Sequence, residues 1–182
     1  MQPALTFTCV VGNPRAGSRT LQAAAEVTRQ LAGAARAAGA TVRDTYLDLA
    51  EIAPHLFDWE SPTAEEWIAQ ALAADLLVVA SPTYKATYTG LLKAFVDRFP
   101  PNALAGKVAI PVMMGAAPIH QLAVDCHLVP LLLEIGASCP VRGLYVLESA
   151  LPEWPQAAAA WVASAAAVLA RELPALRALG QG

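Results

Sequence analysis

Asp75-Leu76-Leu77-Val78-Val79-Ala80, closed by Ser81-Pro82-Thr83, is the stretch on which the fold turns. A short continuous apolar run bounded by turn residues is how a strand buried on both faces of a parallel sheet reads. Working outward, a helix is predicted on each side. Upstream it covers about 63–73, with Thr63 and Glu66 forming a capping box. Downstream it covers about 90–99 and stops at Pro100-Pro101. The same alternation runs through the rest of the chain. Residues 4–11 are a β-branched strand ending at Gly12-Asn13-Pro14. Residues 18–38 place Leu21, Ala24, Val27, Leu31 and Ala35 at helical spacing, with Gly39 as the stop. Strands follow at 41–49, 107–113 and 141–147, and helices at 119–135, kinked at Pro130, and at 156–173. Residues 51–62 read as irregular, and Pro111 inside the fourth strand calls for a bulge. Five strands alternating with five helices through right-handed crossovers give an α/β fold, a three-layer α/β/α sandwich. The expected sheet is five-stranded and parallel in the order 2-1-3-4-5, with a ligand at the carboxyl ends of the strands. Residues 1–182 read as one domain.

Composition narrows the function. The chain has 182 residues, 56% hydrophobic and only 15% charged, with a net charge of −3. Mean hydropathy is +0.44 and the pI about 5.6. Disorder is excluded on these grounds, and no block of like charge suggests nucleic acid or an anionic membrane. The most apolar window, around 157–170, is interrupted by Ser164 and too weak to span a bilayer. Residues 1–11 lack a basic leader, and Cys9, Cys126 and Cys139 have neither disulfide nor metal-site spacing. A reducing cytoplasm is the expected location. The apolar excess, rich in alanine, points to a helical face covered by a second copy of the chain.

The first strand opens into Gly12-Asn13-Pro14-Arg15-Ala16-Gly17-Ser18-Arg19-Thr20 at the start of the first long helix. A helix N-terminus offers unpaired N–H groups and the positive end of a dipole, and therefore suits a phosphate. Gly12 and Gly17 allow close backbone approach, Ser18 and Thr20 offer hydroxyls, and Arg15 and Arg19 offer charge-assisted hydrogen bonds. Two rival motifs fail on their details. The half P-loop Gly12-x4-Gly17 lacks its lysine, and no acidic strand end is read for magnesium. The Cys9-x5-Arg15 spacing of phosphotyrosine phosphatases has its glycine and serine misplaced and no Asp-Pro acid, so Cys9 is expected in the core.

Two further loops leave the same sheet edge. Ser81-Pro82-Thr83-Tyr84-Lys85 follows the third strand, where backbone groups of 82–85 could meet the edge of a planar heterocycle and Tyr84 could pack on it. The helix beyond pairs Lys93 with Asp97. Met113-Met114-Gly115-Ala116-Ala117-Pro118-Ile119-His120 follows the fourth strand. His120 and His127 read as helix-start or interface residues.

These stretches together resemble the NADPH-dependent FMN reductases, in particular the flavin-supplying reductases of two-component sulfonate monooxygenases. The likeness runs from Phe7 to Ala137. It is carried by Gly12-x-Pro14-Arg15-x-x-Ser18-Arg19, by Pro82-x-Tyr84-Lys85-Ala86-x-Tyr88-x-Gly90-x-Leu92-Lys93, and by His120-x-Leu122-Ala123-Val124-Asp125. The resemblance implies a flavodoxin-like fold with FMN in the crevice. The FMN phosphate would lie on Asn13, Arg15, Ser18, Arg19 and Thr20. Its isoalloxazine would lie on Pro82, Thr83, Tyr84 and Lys85, beside Gly115 and Ala116. NADPH or NADH would supply hydride, with no side chain as catalytic acid or base and no metal. It also implies a homodimer or homotetramer and a flavin-dependent monooxygenase as partner. Three positions depart from the family pattern. Asn13 replaces a serine, Met114-Gly115-Ala116 replaces Thr-Gly-Gly, and Cys126 stands where the two-component reductases carry an aromatic or a histidine. That position lies in a widened helical turn associated in the family with releasing FMN as a substrate. Three readings therefore stay open: FMN released after reduction, FMN retained to reduce a quinone, azo compound or other acceptor, or a flavin-binding electron carrier or regulatory module with negligible reductase turnover.

Overall fold

A computed structural model describes residues 4–172. Strands β1 (Leu5–Val11), β2 (Val42–Asp48), β3 (Leu76–Pro82), β4 (Val108–Gly115) and β5 (Leu144–Leu147) form one sheet, in the order β2-β1-β3-β4-β5. Every pairing is parallel. Helices α1 (Arg19–Ala37), α2 (Pro62–Leu72), α3 (Gly90–Val96), α4 (Val129–Glu134) and α5 (Trp154–Glu172) cover it. Leu173, assigned from sequence to the last helix, lies outside the described residues.

Side-chain alternation along each strand divides the core in two. Phe7, Cys9, Val11, Leu76, Val78, Ala80, Ile110, Val112, Leu144 and Val146 pack under α1 and α5. Val10, Leu47, Leu77, Val79, Ala109 and Met113 pack on the other face under α2, α3 and α4. All of β3 is buried, because the central strand has helices on both sides and pairs on both edges. Burial of each large apolar side chain contributes about 1.5–3 kcal/mol. On the first face Trp154 also ties the two long helices together, its Nε1 donating to Ala23 O at 2.9 Å.

The structure corrects four local expectations. Residues Leu49–His55 form a 3-10 helix instead of an irregular segment, with Asp48 as its N-cap. Helix α2 begins at Pro62 with Ser61 before it, so Thr63 lies inside the first turn and makes no capping box. A proline at the first helical position has its φ preset and no N–H to satisfy, which fixes the start. Helix 119–135 is broken into a 3-10 turn (Pro118–His120), a π-helical turn (Val124–Leu128) and α4. Finally, Pro111 needs no bulge: β3 and β4 stay in register from Leu76↔Val108 to Pro82↔Met114. Ala109 donates outward to Ser138 O at 2.8 Å, so the ring nitrogen of Pro111 faces the same outer side. There β5 starts only at Leu144, opposite Val112. The missing donor thus faces a gap in the ladder.

Candidate functional site

Three loops meet at the carboxyl edge of β1, β3 and β4, and hydrogen bonds bind each to the next. Gly12 N donates to Ala80 O at 2.8 Å. Thr89, the N-cap of α3, donates its hydroxyl to Gly12 O and receives Leu92 N at 3.1 Å. Ser81 Oγ receives Thr89 N at 3.0 Å. Thr83 N reaches across to Met114 O at 2.6 Å. A Cβ at residue 12 would overlap Leu92 Cβ and lie 3.0 Å from Leu92 Cα. Only glycine lets α3 approach this closely.

In the first loop the expected residues divide by role. Asn13 is buried. Its Oδ1 receives Arg15 N at 2.9 Å and its Nδ2 donates to Thr20 Oγ1 at 3.0 Å. Asn13 and Thr20 therefore shape the loop from within, and Thr20 turns its hydroxyl inward. Ser18 caps α1, receiving Leu21 N at 3.2 Å. Gly17 has φ +63 and donates its N–H to Asp48 Oδ2 at 2.9 Å. The N–H groups of Ser18, Arg19 and Thr20 find no acceptor among the described residues. They form the open N-terminus of a 19-residue helix, the arrangement that accepts an anion. Arg15 is exposed and makes no ion pair among the described residues. Arg19 is paired, its Nη2 lying 2.8 Å from Glu148 Oε2.

The second loop is a two-residue hairpin. Tyr84 N donates to Thr87 O at 2.9 Å and Thr87 N to Tyr84 O at 3.2 Å. The two residues between, Lys85 and Ala86, have φ of +52 and +67. Such a turn normally takes Asn-Gly, and non-glycine residues there carry strain of the kind found at ligand clamps. It raises Tyr84, 48% exposed, beside the edge of the crevice. Pro82 is buried as the last residue of β3. Thr83 Oγ1 is buried with no hydrogen-bond partner. An unsatisfied buried hydroxyl costs stability and calls for an outside partner.

In the third loop, Gly115 is buried and Ala116 is exposed. A Cβ on Gly115 would overlap the Tyr145 hydroxyl, and would lie 3.0 Å from Cζ of that ring and 3.4 Å from Thr83 Oγ1. The Tyr145 hydroxyl donates to Ala117 O at 2.9 Å. Gly115 thus admits a tyrosine from β5, which braces the loop. Beyond it Cys126 and His127 are exposed on the π-helical turn, and His120 is exposed before it. The widened turn is kept although the aromatic is absent.

The structure brings Asn13, Arg15, Ser18, Arg19, Thr20, Pro82, Thr83, Tyr84, Lys85, Gly115 and Ala116 to one sheet edge. Sequence reasoning missed Asp48, Glu148 and Tyr145. The signal available for the first two was an acidic residue closing a strand at that edge. Asp48 also corrects the expectation of no acidic strand end. Its carboxylate is taken by Gly17 N and by Ala50 N at 3.4 Å, and the described residues contain no cluster of potential metal ligands. Cys9 is fully buried under α1. Desolvation chiefly, with the Asp48 charge adding to it against a hydrogen bond to Thr28, pushes its thiol up to about 12. It is no nucleophile.

Comparison with known proteins follows the same lines. A family model described as NADPH-dependent FMN reductase matches residues 6–151. An FMN reductase (NADPH) of Escherichia coli K12 is 40% identical over 91 residues, covering 50% of this chain and 48% of that protein. The match thus spans about half the length of that relative. The NADH-dependent FMN reductase SfnE of Pseudomonas putida is 26% identical over 179 residues, covering 96% of this chain and 94% of its own length. Among solved structures, an oxidoreductase of Corynebacterium diphtheriae superposes with a TM-score of 0.80 at 26% identity, covering 97% and 96% of the two chains.

Proposed function

Because the chain belongs to the NADPH-dependent FMN reductase family, we propose that it moves hydride from NADPH or NADH to FMN as a single-domain cytoplasmic enzyme. No helix among the described residues is long and apolar enough to cross a membrane. The observation that carries the reading is the open end of α1 facing the same crevice edge as the unpartnered Thr83 hydroxyl. The residues present fit the cofactor: one end offers what a phosphate needs and the other what a polar ring edge needs. The Ser18, Arg19 and Thr20 N–H groups with the Arg15 guanidinium would hold the phosphate. Pro82–Lys85 and the Gly115–Ala116 backbone would hold the ring, where Thr83 Oγ1 would gain a partner. When bound, flavin supplies the two-electron chemistry. The protein positions it, orients the nicotinamide and keeps the exposed ring face clear. No side chain is required to donate or remove a proton.

On this reading a flavin-dependent monooxygenase would be the recipient of the reduced flavin. The π-helical turn at Val124–Leu128 supports release, and Cys126 in place of the aromatic favours the second reading, in which FMN stays bound and another acceptor is reduced. The apolar side chains Ile119, Leu122 and Leu133, all more than half exposed beside that turn, support a homodimer or homotetramer. The deciding experiment is the rate of NADPH oxidation by dialysed protein against added FMN. A rate near zero without FMN that saturates with it supports a released substrate. Yellow protein whose rate ignores added FMN supports retention. Colourless protein without NADPH oxidation at any FMN concentration refutes both.

A further inference from the structure

The first turn of α1 is where the proposed site needs positive charge, yet the chain sets its own carboxylate there. Glu148 is the first residue after β5, and its Oε2 lies 2.8 Å from Arg19 Nη2. The pair is anchored from below. The segment Glu148–Glu153 runs directly into α5, whose first residue, Trp154, is bonded to the Ala23 carbonyl of α1. The segment that carries Glu148 is therefore tied to α1, the helix that carries Arg19. Its side chain is 34% exposed and that of Arg19 is 59% exposed, so neither is needed to hold the core. An exposed pair of this kind contributes little to stability. Its consequence falls on whatever anion binds the helix end.

We infer that Glu148 is an affinity-setting residue, a built-in competitor that lowers the hold of the α1 N-terminus on the FMN phosphate. The inference rests on the phosphate assignment of the preceding subsection. Two effects oppose each other. Glu148 orders the Arg19 side chain, which favours binding. It also puts a negative charge beside the helix end where the dianion would bind, and occupies one of the five guanidinium N–H donors. The ordering term is small because Arg19 remains largely exposed, whereas repulsion against a dianion counts twice. Charge wins. The result is a flavin that binds and leaves, as a released substrate must. Asp48 is the second carboxylate of the cradle, but it is buried and holds the Gly17 N–H. Changing it would disturb the loop itself, so the test belongs at Glu148.

The test is an equilibrium titration of dialysed protein with FMN and with riboflavin, which carries the same ring without the phosphate, followed by flavin fluorescence at low salt. Glu148→Gln is expected to tighten FMN about three- to tenfold, the size of a unit charge acting on a nearby dianion in water. Riboflavin should change less than about twofold, and the gain should shrink as added salt screens the charge. Far-UV circular dichroism checks that the variant is folded. In an Arg19→Gln background the substitution should still tighten FMN, by a smaller factor. Unchanged or weaker FMN binding in Glu148→Gln overturns the inference, as does an equal gain for riboflavin. If the unaltered protein binds FMN no better than riboflavin, the phosphate assignment fails and the inference with it. A preference for FMN that Glu148→Gln leaves untouched removes the inference alone.

Discussion

Gly115→Ala tests how tightly the third loop is braced. The new methyl would overlap the Tyr145 hydroxyl and lie 3.0 Å from Cζ and 3.4 Å from Thr83 Oγ1. The ring must yield, and in yielding it gives up its hydrogen bond to Ala117 O. Overpacking a filled site costs about 1–3 kcal/mol. The lost hydrogen bond adds about 0.5–1.5 kcal/mol, so the variant should be destabilised by about 2–4 kcal/mol. Tyr145→Phe alone should cost only the hydrogen bond. In that background the oxygen is gone and the nearest remaining atom is Cζ, which needs to move only a few tenths of an ångström. The two changes should therefore couple by about 1–2 kcal/mol, the double variant being more stable than the sum of the singles. Urea unfolding of the four proteins, extrapolated to water, measures the coupling. The FMN concentration giving half-maximal rate should rise in Gly115→Ala and recover partly in the double variant. Additivity within about 0.5 kcal/mol would refute the packing argument.

Other expectations follow from the same geometry. Replacing Lys85-Ala86 by Asn-Gly relieves two positive-φ positions and should raise stability by about 1–2 kcal/mol; an unchanged or lowered melting temperature would count against strain in this turn. Among the cysteines, Cys126, exposed on the single chain, should react first with iodoacetamide when the protein is dilute enough to be monomeric. Cys139, pushed up to about 11 by burial, should follow, and Cys9 should react only on unfolding. Rapid labelling of Cys9 in the folded protein would contradict its burial. The Arg36 guanidinium hydrogen-bonded to Asp44 holds that carboxyl below the usual aspartate range, joining the end of α1 to β2. A folded value below the unfolded one stabilises above the ordinary aspartate range, and the contribution is lost as pH falls through the lowered value. Asp44→Asn should therefore unfold at lower urea than the parent at neutral pH, and the gap should close as pH falls below the ordinary aspartate range and through the lowered value. A gap that persists in acid would assign the effect to packing.

What the sequence disclosed depended on how local its cause was. β3 was legible because burial on both faces leaves a run with no alternation. The start of α1 was legible because Ser18 caps it and the glycines and arginines precede it. The true start of α2 was masked by two competing local signals, and the proline at Pro62 outweighed the Thr63 box. The π-helical turn has no periodicity of its own, since one extra residue per turn looks like a kink near Pro130; only the family resemblance pointed to a widened turn at Cys126. For the site, residues within one loop were found and residues arriving from other strands were not. Tyr145, Asp48 and Glu148 act through contacts made only when β5 and β2 lie beside their neighbours. Thr20 is the converse case. It sits in the right loop, but the Asn13 amide claims its hydroxyl.

Pro111 carries a consequence for the far end of β5. A strand with a donor at every position could pair with its neighbour in more than one alignment. Pro111 removes the donor that any lower alignment of β5 would use, so Leu144 opposite Val112 is the lowest pairing available. One step along a strand is about 3.3 Å and turns every side chain to the other face. Such a step would carry Glu148 away from Arg19 and drive Leu144 and Val146 out of the layer beneath α1 and α5. A residue in the middle of the sheet, by what it lacks, thus sets the height at which a carboxylate emerges above its edge.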